Sequence, residues 1–168
     1  GAIEIDVKTG EILTYSGAAV NLGAYTLTLK GGGTLSNTYA FALNDADSKL
    51  LLNSITVAKV STSAVSLGLD VDANSTVTSL TVGHLATPVS IADGITLSGG
   101  IAVTAGSIKL GEAGTLGSTV TMSGGTTLDV DDTLTISGTL TQSGAIEIDV
   151  KTGEILTYSG AAVNLGAY

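Results

Sequence analysis

Two runs of acidic residues contain the side chains of this chain that could bind a cation. Asp70, Asp72 and Asn74 follow the order with which calcium-binding loops begin, and their oxygen atoms are ligands that hard cations prefer. The twelfth position of such a loop is Thr81 rather than a bidentate glutamate, and its sixth position is not glycine. The favoured interpretation is therefore outward-facing acids in a strand and its turn, with Ca²⁺ binding as the alternative.

The second run, Asp129, Asp131 and Asp132, has the same two interpretations. Like charges that are neighbours in a strand ladder repel each other, so a loosely bound divalent ion is the alternative to a solvated acidic face. We predict no dedicated metal site and no cofactor at either run.

Catalytic residues are not indicated by the sequence. His84 is the only histidine, no cysteine accompanies it and no G-x-S-x-G element supplies a nucleophile, so we expect a loop residue beside Pro88. Paired carboxylates can cleave glycosidic bonds. The chain has no arginine to bind a uronate carboxylate, however, and we expect no aromatic platform for a sugar beside the acids. We therefore predict that the protein is not an enzyme.

The composition favours strands over helices and excludes several kinds of partner. Of the 168 residues 43% are hydrophobic, which is enough for a core, and 12% are charged, so Ser, Thr, Asn and Gly must cover much of the surface. The net charge of −9 opposes binding to nucleic-acid phosphates. The uncharged stretches 12–29 and 73–92 alternate polar and apolar residues, so they are predicted strands and not membrane spans.

A long repeat is visible in the sequence itself. Residues 1–25 and 144–168 carry the same 25 letters, offset by 143 positions. The favoured interpretation is one complete repeat, residues 1–143, followed by the start of the next identical repeat, residues 144–168. An engineered duplication is the alternative.

A shorter period lies inside the long repeat, marked by triplets in which an apolar residue stands on either side of a central one. Successive triplets are 22, 23, 19, 20, 19, 20 and 20 residues apart, so seven short units make one long unit. The triplets are Ile5-Asp6-Val7, Leu27-Thr28-Leu29, Leu50-Leu51-Leu52, Leu69-Asp70-Val71, Val89-Ser90-Ile91, Ile108-Lys109-Leu110, Leu128-Asp129-Val130 and Ile148-Asp149-Val150. Short strands at this period, without crossover helices, predict an all-β parallel β-helix, or β-solenoid, with about 20 residues per coil.

The alternation predicts which side chains face the core. The outer two residues of each triplet should point inward and the middle one outward. The middle residues should then stack in one row along the axis, with Asp129 beside Lys109 on one coil and Asp149 on the other. Two positions further on, Asp131 should neighbour Lys151.

The aromatic residues of one repeat, Tyr15, Tyr25, Tyr39 and Phe41, all fall in its first two coils. Segment 36–48 belongs to the longest step, so we expect it to bulge from the wall. Two interpretations follow: rings that fill corners or cover the core, or an exposed cluster that contacts another fibre or a ligand.

The phrasing of "TTLDVDDTLTISGTLTQSGAIEIDV" (residues 126–150) resembles the coils of large secreted bacterial β-helix proteins, the filamentous-haemagglutinin-like and autotransporter-type adhesins. The resemblance implies a right-handed solenoid, export and a place at the cell surface, and it carries over no functional residue. We predict an extracellular filament shaft whose partners are copies of itself along the axis, with possible lateral assembly. The alternative is an adhesin whose wall binds surface glycans or neighbouring cells.

Overall fold

The computed structural model describes residues 1–62, 66–83, 87–110, 114–161 and 163. These residues form twenty β-strands in two sheets, and the described ranges contain no helix that is long and apolar enough to cross a membrane. The strands of the first sheet are β1 (Ala2–Asp6), β4 (Thr26–Lys30), β7 (Lys49–Asn53), β9 (Gly68–Ala73), β11 (Thr87–Ile91), β13 (Ser107–Leu110), β16 (Thr127–Val130) and β19 (Glu147–Val150).

The second sheet is wider and continues round a bend in the coil. Its main path is β2 (Ile12–Tyr15), β5 (Thr34–Asn37), β8 (Thr56–Thr62), β10 (Ser75–Val82), β12 (Thr96–Val103), β14 (Thr115–Leu116), β17 (Leu134–Ile136) and β20 (Leu156–Tyr158). Four further strands pair beside this path: β3 (Val20–Asn21), β6 (Phe41–Leu43), β15 (Thr119–Met122) and β18 (Leu140–Gln142).

Each strand pairs in parallel with the strand one coil later. The first sheet, for example, runs from β1 to β4 to β7, and the intervening strands belong to the second sheet. This is a parallel β-solenoid of about seven turns about 20 residues apart, as the triplets predicted. Every coil therefore serves as the hydrogen-bonding template for the next.

The core is a stack of aliphatic side chains enclosed by the two sheets. Leu50 and Leu52 on β7 are buried, whereas Leu51 between them is half-buried and faces outward. Leu69 and Val71 repeat the pattern one coil later. Burying each such side chain contributes about 1.5–3 kcal/mol relative to leaving it exposed, so the inward columns carry most of the stabilisation.

Two of the predicted triplet alignments are wrong by two residues. Ile5 pairs with Leu29 rather than with Leu27, and Val89 pairs with Leu110 rather than with Ile108. The predicted row of middle residues is therefore continuous from Thr28 to Ser90, and again from Lys109 to Asp149, but Ser90 does not stack on Lys109. As a result, the ladder that begins at Ile3 reaches Val150, which is the copy of Val7.

The expected bulge of segment 36–48 is only partial, because Ser36, Asn37 and Phe41–Leu43 lie in strands of the wall. The segment contains β6, whose Phe41 and Leu43 are buried in the core. Asn37 turns the chain between β5 and β6: its Nδ2 donates to the carbonyl oxygens of Tyr39 and Lys59, both at 2.8 Å. Its Oδ1 accepts from the backbone N–H groups of Ala58 and Lys59. A buried amide with all four partners fixes this bend.

Candidate functional site: the two ends and the two outer faces

The residues of the calcium-like sequence do not share a ligand position. Asp70 lies 2.5 Å from the Lys49 ammonium, Asp72 is exposed further along β9, and Asn74 Oδ1 accepts a 2.8 Å hydrogen bond from the Thr96 backbone N–H. Within the described ranges no three His, Asp or Glu side chains are grouped so that they could hold a metal ion. His84 lies outside the described residues.

The second acidic run lies at the junction between the long repeats. Asp129 pairs with Asp149 in the parallel ladder, as predicted, and Lys151 places its ammonium 3.0 Å from Asp129 Oδ1 and 2.6 Å from Asp149 Oδ2. The hydrogen bond with Asp149, and then the close contact of the ammonium with the Asp129 carboxylate, raises the pKa of Lys151 well above its usual value. One cation thus bridges two carboxylates that would otherwise repel each other across the coil boundary.

The other two acids of this run lie close to the same corner. Asp132 Oδ1 accepts a 2.6 Å hydrogen bond from the Thr133 backbone N–H. Asp131 is adjacent to Lys151 by backbone register, since the Lys151 N–H donates to the Val130 carbonyl oxygen at 3.1 Å.

An apolar cavity opens at each end of the solenoid. The first, about 410 Å³, lies beside coil 1, which we define as residues 1–25, and the second, about 460 Å³, lies beside residues 144–163. Five of the residues that line the first cavity have copies that line the second: Ile3 and Ile146, Ile5 and Ile148, Leu13 and Leu156, Tyr15 and Tyr158, Val20 and Val163. The two cavities therefore expose opposite faces of one repeated coil: one face is uncovered at the first end of the solenoid, and the other face at the second end.

The degree of burial shows that each copy is covered from the opposite side. Val7 is 5% exposed because coil 2 (residues 26–48) covers it, whereas its copy Val150 is 38% exposed. Ile3 is 56% exposed, whereas its copy Ile146 is half-buried against the core. A coil with neighbours on both sides would have both faces buried.

The two copies also adopt the same local conformation. In both, a lysine carbonyl oxygen accepts from the N–H three residues later (Lys8 to Glu11, Lys151 to Glu154), with glycine at positive φ between them. Tyr15 Oη donates to the Ala18 carbonyl oxygen, and Tyr158 makes the same bond with Ala161. These two local turns are thus encoded by the nearby sequence and are the same in both copies.

The two outer faces differ in charge. Every strand of the first sheet except β11 contains a charged residue, and ion pairs such as Lys30 with Glu4, at 2.8 Å, cross from coil to coil. The hydrogen bond that Lys30 donates to the Glu4 carboxylate raises the pKa of Lys30. Among the described strands of the second sheet, Lys59 is the single charged residue. The solenoid therefore has a charged wall and a hydroxyl wall, as we name the first and second sheets' outer faces.

Hydroxyl groups form continuous columns on the hydroxyl wall. Thr34, Thr56, Thr76 and Ser98 are consecutive ladder partners, and Thr96, Thr115, Thr135 and Thr157 form a second column on later coils. Neighbouring strands are about 4.8 Å apart, so the hydroxyls repeat at that spacing. An open groove of about 280 Å³ lies where the two columns overlap, between Ser54, Thr56, Asn74, Thr76, Thr96 and Ser98.

Sequence reasoning placed the junction acids but missed the partition of charge between the walls and the role of Asn37. The partition could have been found by reading the segments between triplets, where T-x-S and T-x-T phrases replace charged residues. Asn37, in "LSNTY", has the composition of an ordinary turn, and no sequence signal distinguishes it.

The chain matches no protein-family model, no curated protein sequence and no solved structure.

Proposed function

We propose that this chain is a section of a tandem β-solenoid array that forms the shaft of an extracellular filament on a microbial cell surface. The observation that carries the proposal is the lining of both end cavities by copies of the same five residues. A coil with apolar upper and lower faces is suited to a position between coil 7 (residues 124–143) of one repeat and coil 2 of the next. No catalytic step is part of this function.

The mechanism of such a shaft is mechanical. Backbone hydrogen bonds run along the axis at every coil, and the inward aliphatic columns continue from coil to coil, so bending must disturb both. Stacking also covers the strand edges at each junction, which would otherwise template aggregation. The number of repeats then sets the length of the filament. Export and a surface location are proposed from the phrasing of residues 126–150, which resembles that of secreted bacterial β-helix adhesins without a sequence match to them.

The length of engineered arrays tests this proposal. Chains with one, two and four long repeats should be rods whose maximum dimension in small-angle X-ray scattering grows by about 34 Å per repeat, from seven coils at about 4.8 Å.

A matched pair of substitutions examines the junction coil. Ile148→Asp places a charge on the inward face and should introduce a flexible joint, whereas Ile155→Asp changes a side chain that already faces solvent.

Length that does not grow with repeat number would overturn the shaft. The surface location has its own test: antibodies against this repeat should label intact cells of the source organism, and labelling only after cell lysis would contradict it.

The hydroxyl wall favours a second candidate, an adhesin that binds glycans through the solenoid wall. Within the described chain, the Oγ1 atoms of Thr56, Thr76 and Thr96 have no protein hydrogen-bond partner, so they are available to a ligand such as a polysaccharide. Retention of arrays on immobilised polysaccharides should fall when these three residues become valine. The matched control is Thr26→Val, Thr28→Val and Thr127→Val on the charged wall. Equal retention by both variants, or none by the unsubstituted array, would reject this candidate.

A further inference from the structure

The hydroxyl wall has the chemistry of a surface that can contact a copy of itself. Its outward side chains are mainly threonine and serine, and a hydroxyl group is both a hydrogen-bond donor and an acceptor. Two identical faces related by a two-fold axis must supply both roles, because the same patch occurs on both sides of the contact. Ammonium groups only donate and carboxylates only accept, so the charged wall meets this condition less well.

The hydroxyl groups of this wall are available for such contacts. Within the described residues, the Oγ1 atoms of Thr34, Thr56, Thr115 and Thr135 have no hydrogen-bond partner in the protein. Threonine is β-branched, so its hydroxyl has few orientations and little side-chain entropy is lost on contact. Hydroxyls thus recur at about 4.8 Å along the axis, and a second array has the same spacing.

The distribution of charge directs two arrays to this face. The chain carries a net charge of −9, so two arrays repel each other wherever their acids meet. Acids outnumber lysines along the strands of the first sheet, whereas the described strands of the second sheet contain no acid. Lys59 is exposed there, and its Nζ donates to the Thr38 carbonyl oxygen of the same wall at 2.9 Å. Two hydroxyl walls can therefore approach without placing carboxylates opposite each other.

Exposed apolar side chains recur on the same wall. Ile12 is 69% exposed and its copy Ile155 is 60% exposed, although neighbouring coils cover the two copies from opposite sides. This residue therefore faces outward whichever neighbouring coil is present. Its ladder partner is Thr34, and Tyr39, which is 52% exposed, lies at the bend between β5 and β6. Each long repeat thus adds apolar surface that a lateral contact would bury.

The area of this face grows with the number of repeats. A strip as wide as β2 and β5, which have four residues each, is about 13 Å across, and one repeat is about 34 Å long. Two facing strips therefore bury about 900 Å² per repeat, and two repeats bury about 1,800 Å², the area of a standard protein interface. Because the repeats are linked, every contact after the first is intramolecular, so the affinity rises steeply with repeat number.

We propose that two arrays associate side by side through their hydroxyl walls, so the partner is a second copy of this chain. The contact rests on the proposed shaft, because only a continuous stack repeats it along the axis. In the paired filament the charged walls face solvent and carry the acids, whereas the hydroxyls, Ile12 and Tyr39 lie between the arrays. Pairing thickens the filament without changing its length.

Mass per unit length tests the pairing. Arrays of four long repeats should double in mass as the concentration rises, measured by sedimentation equilibrium, and should keep the length of a single array in small-angle X-ray scattering. Chains of one repeat should stay monomeric at the same concentrations, because about 900 Å² is less than a standard interface buries. Four-repeat arrays that stay single at every concentration would overturn the pairing alone, because the growth of length with repeat number tests the shaft separately.

Acidic substitutions identify the face that makes the contact. Thr78 and Thr119 are exposed on the hydroxyl wall, and Thr78→Glu/Thr119→Glu should keep four-repeat arrays single, because carboxylates would then meet between the arrays. Thr26→Glu/Asn53→Glu adds the same charge to the charged wall, where each position is the ladder partner of a lysine, and these arrays should still pair. Equal loss of pairing in both variants would overturn the assignment of this face.

Arrays of opposite charge guard against a variant that merely fails to fold. Thr78→Lys/Thr119→Lys arrays should also stay single, but an equimolar mixture with the glutamate arrays should pair at least about tenfold more tightly than either variant alone. A mixture that stays single, although each variant keeps the rod length, would overturn the pairing. Unsubstituted arrays that stay single but are retained on immobilised polysaccharide would overturn it too, and would assign this wall to the glycan-binding candidate.

Discussion

Nζ of Lys151 lies 3.0 Å from Oδ1 of Asp129 on the coil before it and 2.6 Å from Oδ2 of Asp149 on its own coil. The Asp129 oxygen is buried and has no hydrogen bond of good geometry, so the ammonium is its ionic partner. This bridge joins the last coil of one long repeat to the first coil of the next. The corresponding lysine of coil 1, Lys8, contacts Asp6 of its own coil.

The bridge predicts a particular dependence of stability on pH. Because Asp149, and then Asp129, raise the pKa of Lys151 above the ordinary 10.5, the folded chain holds this proton more tightly than the unfolded chain does. Its contribution is fully present below the ordinary value and is lost only as the pH rises through the raised one. We expect the difference in urea midpoint between the unsubstituted chain and Lys151→Met to be constant from neutral pH to about 10 and to shrink above it.

Lys8→Met is the control for this measurement, since Lys8 makes the pair within coil 1 but no bridge to coil 7. It should lower the urea midpoint less than Lys151→Met does. Equal effects of the two substitutions would mean that the contact between coils adds nothing to the stability of the junction.

The inward columns predict a large difference between adjacent leucines. Leu52 is fully buried between Leu29 and Val71 of the neighbouring coils, so Leu52→Ala should reduce the free energy of unfolding by about 2–5 kcal/mol. Leu51 faces outward on the same strand, and Leu51→Ala should change it by only about 0.5 kcal/mol. Urea unfolding followed by circular dichroism measures both, and similar losses would contradict the assignment of faces.

The four hydrogen bonds of Asn37 predict how much the free energy of unfolding falls when a buried amide with all its partners is removed. Asn37→Ala leaves two N–H groups and two carbonyl oxygens of residues 39, 58 and 59 without this partner, so we expect a loss of at least about 2 kcal/mol. Asn53 is exposed at the end of β7, and Asn53→Ala serves as the control, with an expected change of about 0.5 kcal/mol or less. If Asn37→Ala left the free energy of unfolding unchanged, water would have replaced the hydrogen bonds of the side chain.

The aromatic residues separate into a structural and an exposed set. Phe41 is buried, with its ring centroid 6.4 Å from that of Tyr15, and Phe41→Ala should cost about 3–5 kcal/mol of stability. Tyr25 and Tyr39 are each 52% exposed. We expect Tyr25→Ser/Tyr39→Ser arrays to stay folded and to bundle less in electron micrographs. Bundling equal to that of unsubstituted arrays would show that these rings take no part in lateral contacts.

The period of the apolar triplets was sufficient to predict the solenoid and the faces of most strands, but not their register. Both errors, at Ile5 and at Val89, are shifts of two residues. A shift of two residues leaves every side chain on the same face of the sheet. The alternation of apolar and polar residues therefore cannot reveal such a shift. Bulges such as the one at Leu52 and Asn53, where Asn53 pairs with Ala73, add residues that the pattern cannot show.

The candidate surfaces were predictable to unequal degrees. The stacking of Asp129 with Asp149 followed from the triplets, because the last coils are evenly spaced. The position of the Lys151 ammonium between them depends on a corner of the coil, where the chain leaves the strand pattern. The pairing of Asp70 with Lys49 depends on side-chain reach across a coil boundary, which no periodicity encodes.

The orientation of the strands, across the axis and not along it, has a consequence for a filament under load. Tension along the axis pulls directly on the hydrogen bonds between neighbouring coils and loads them one coil at a time. A released coil of about 20 residues can extend to about 70 Å, compared with about 4.8 Å in the stack. A stack of such coils would hold its shape against a sideways force yet lengthen in steps under a strong axial pull, and so dissipate force along its length.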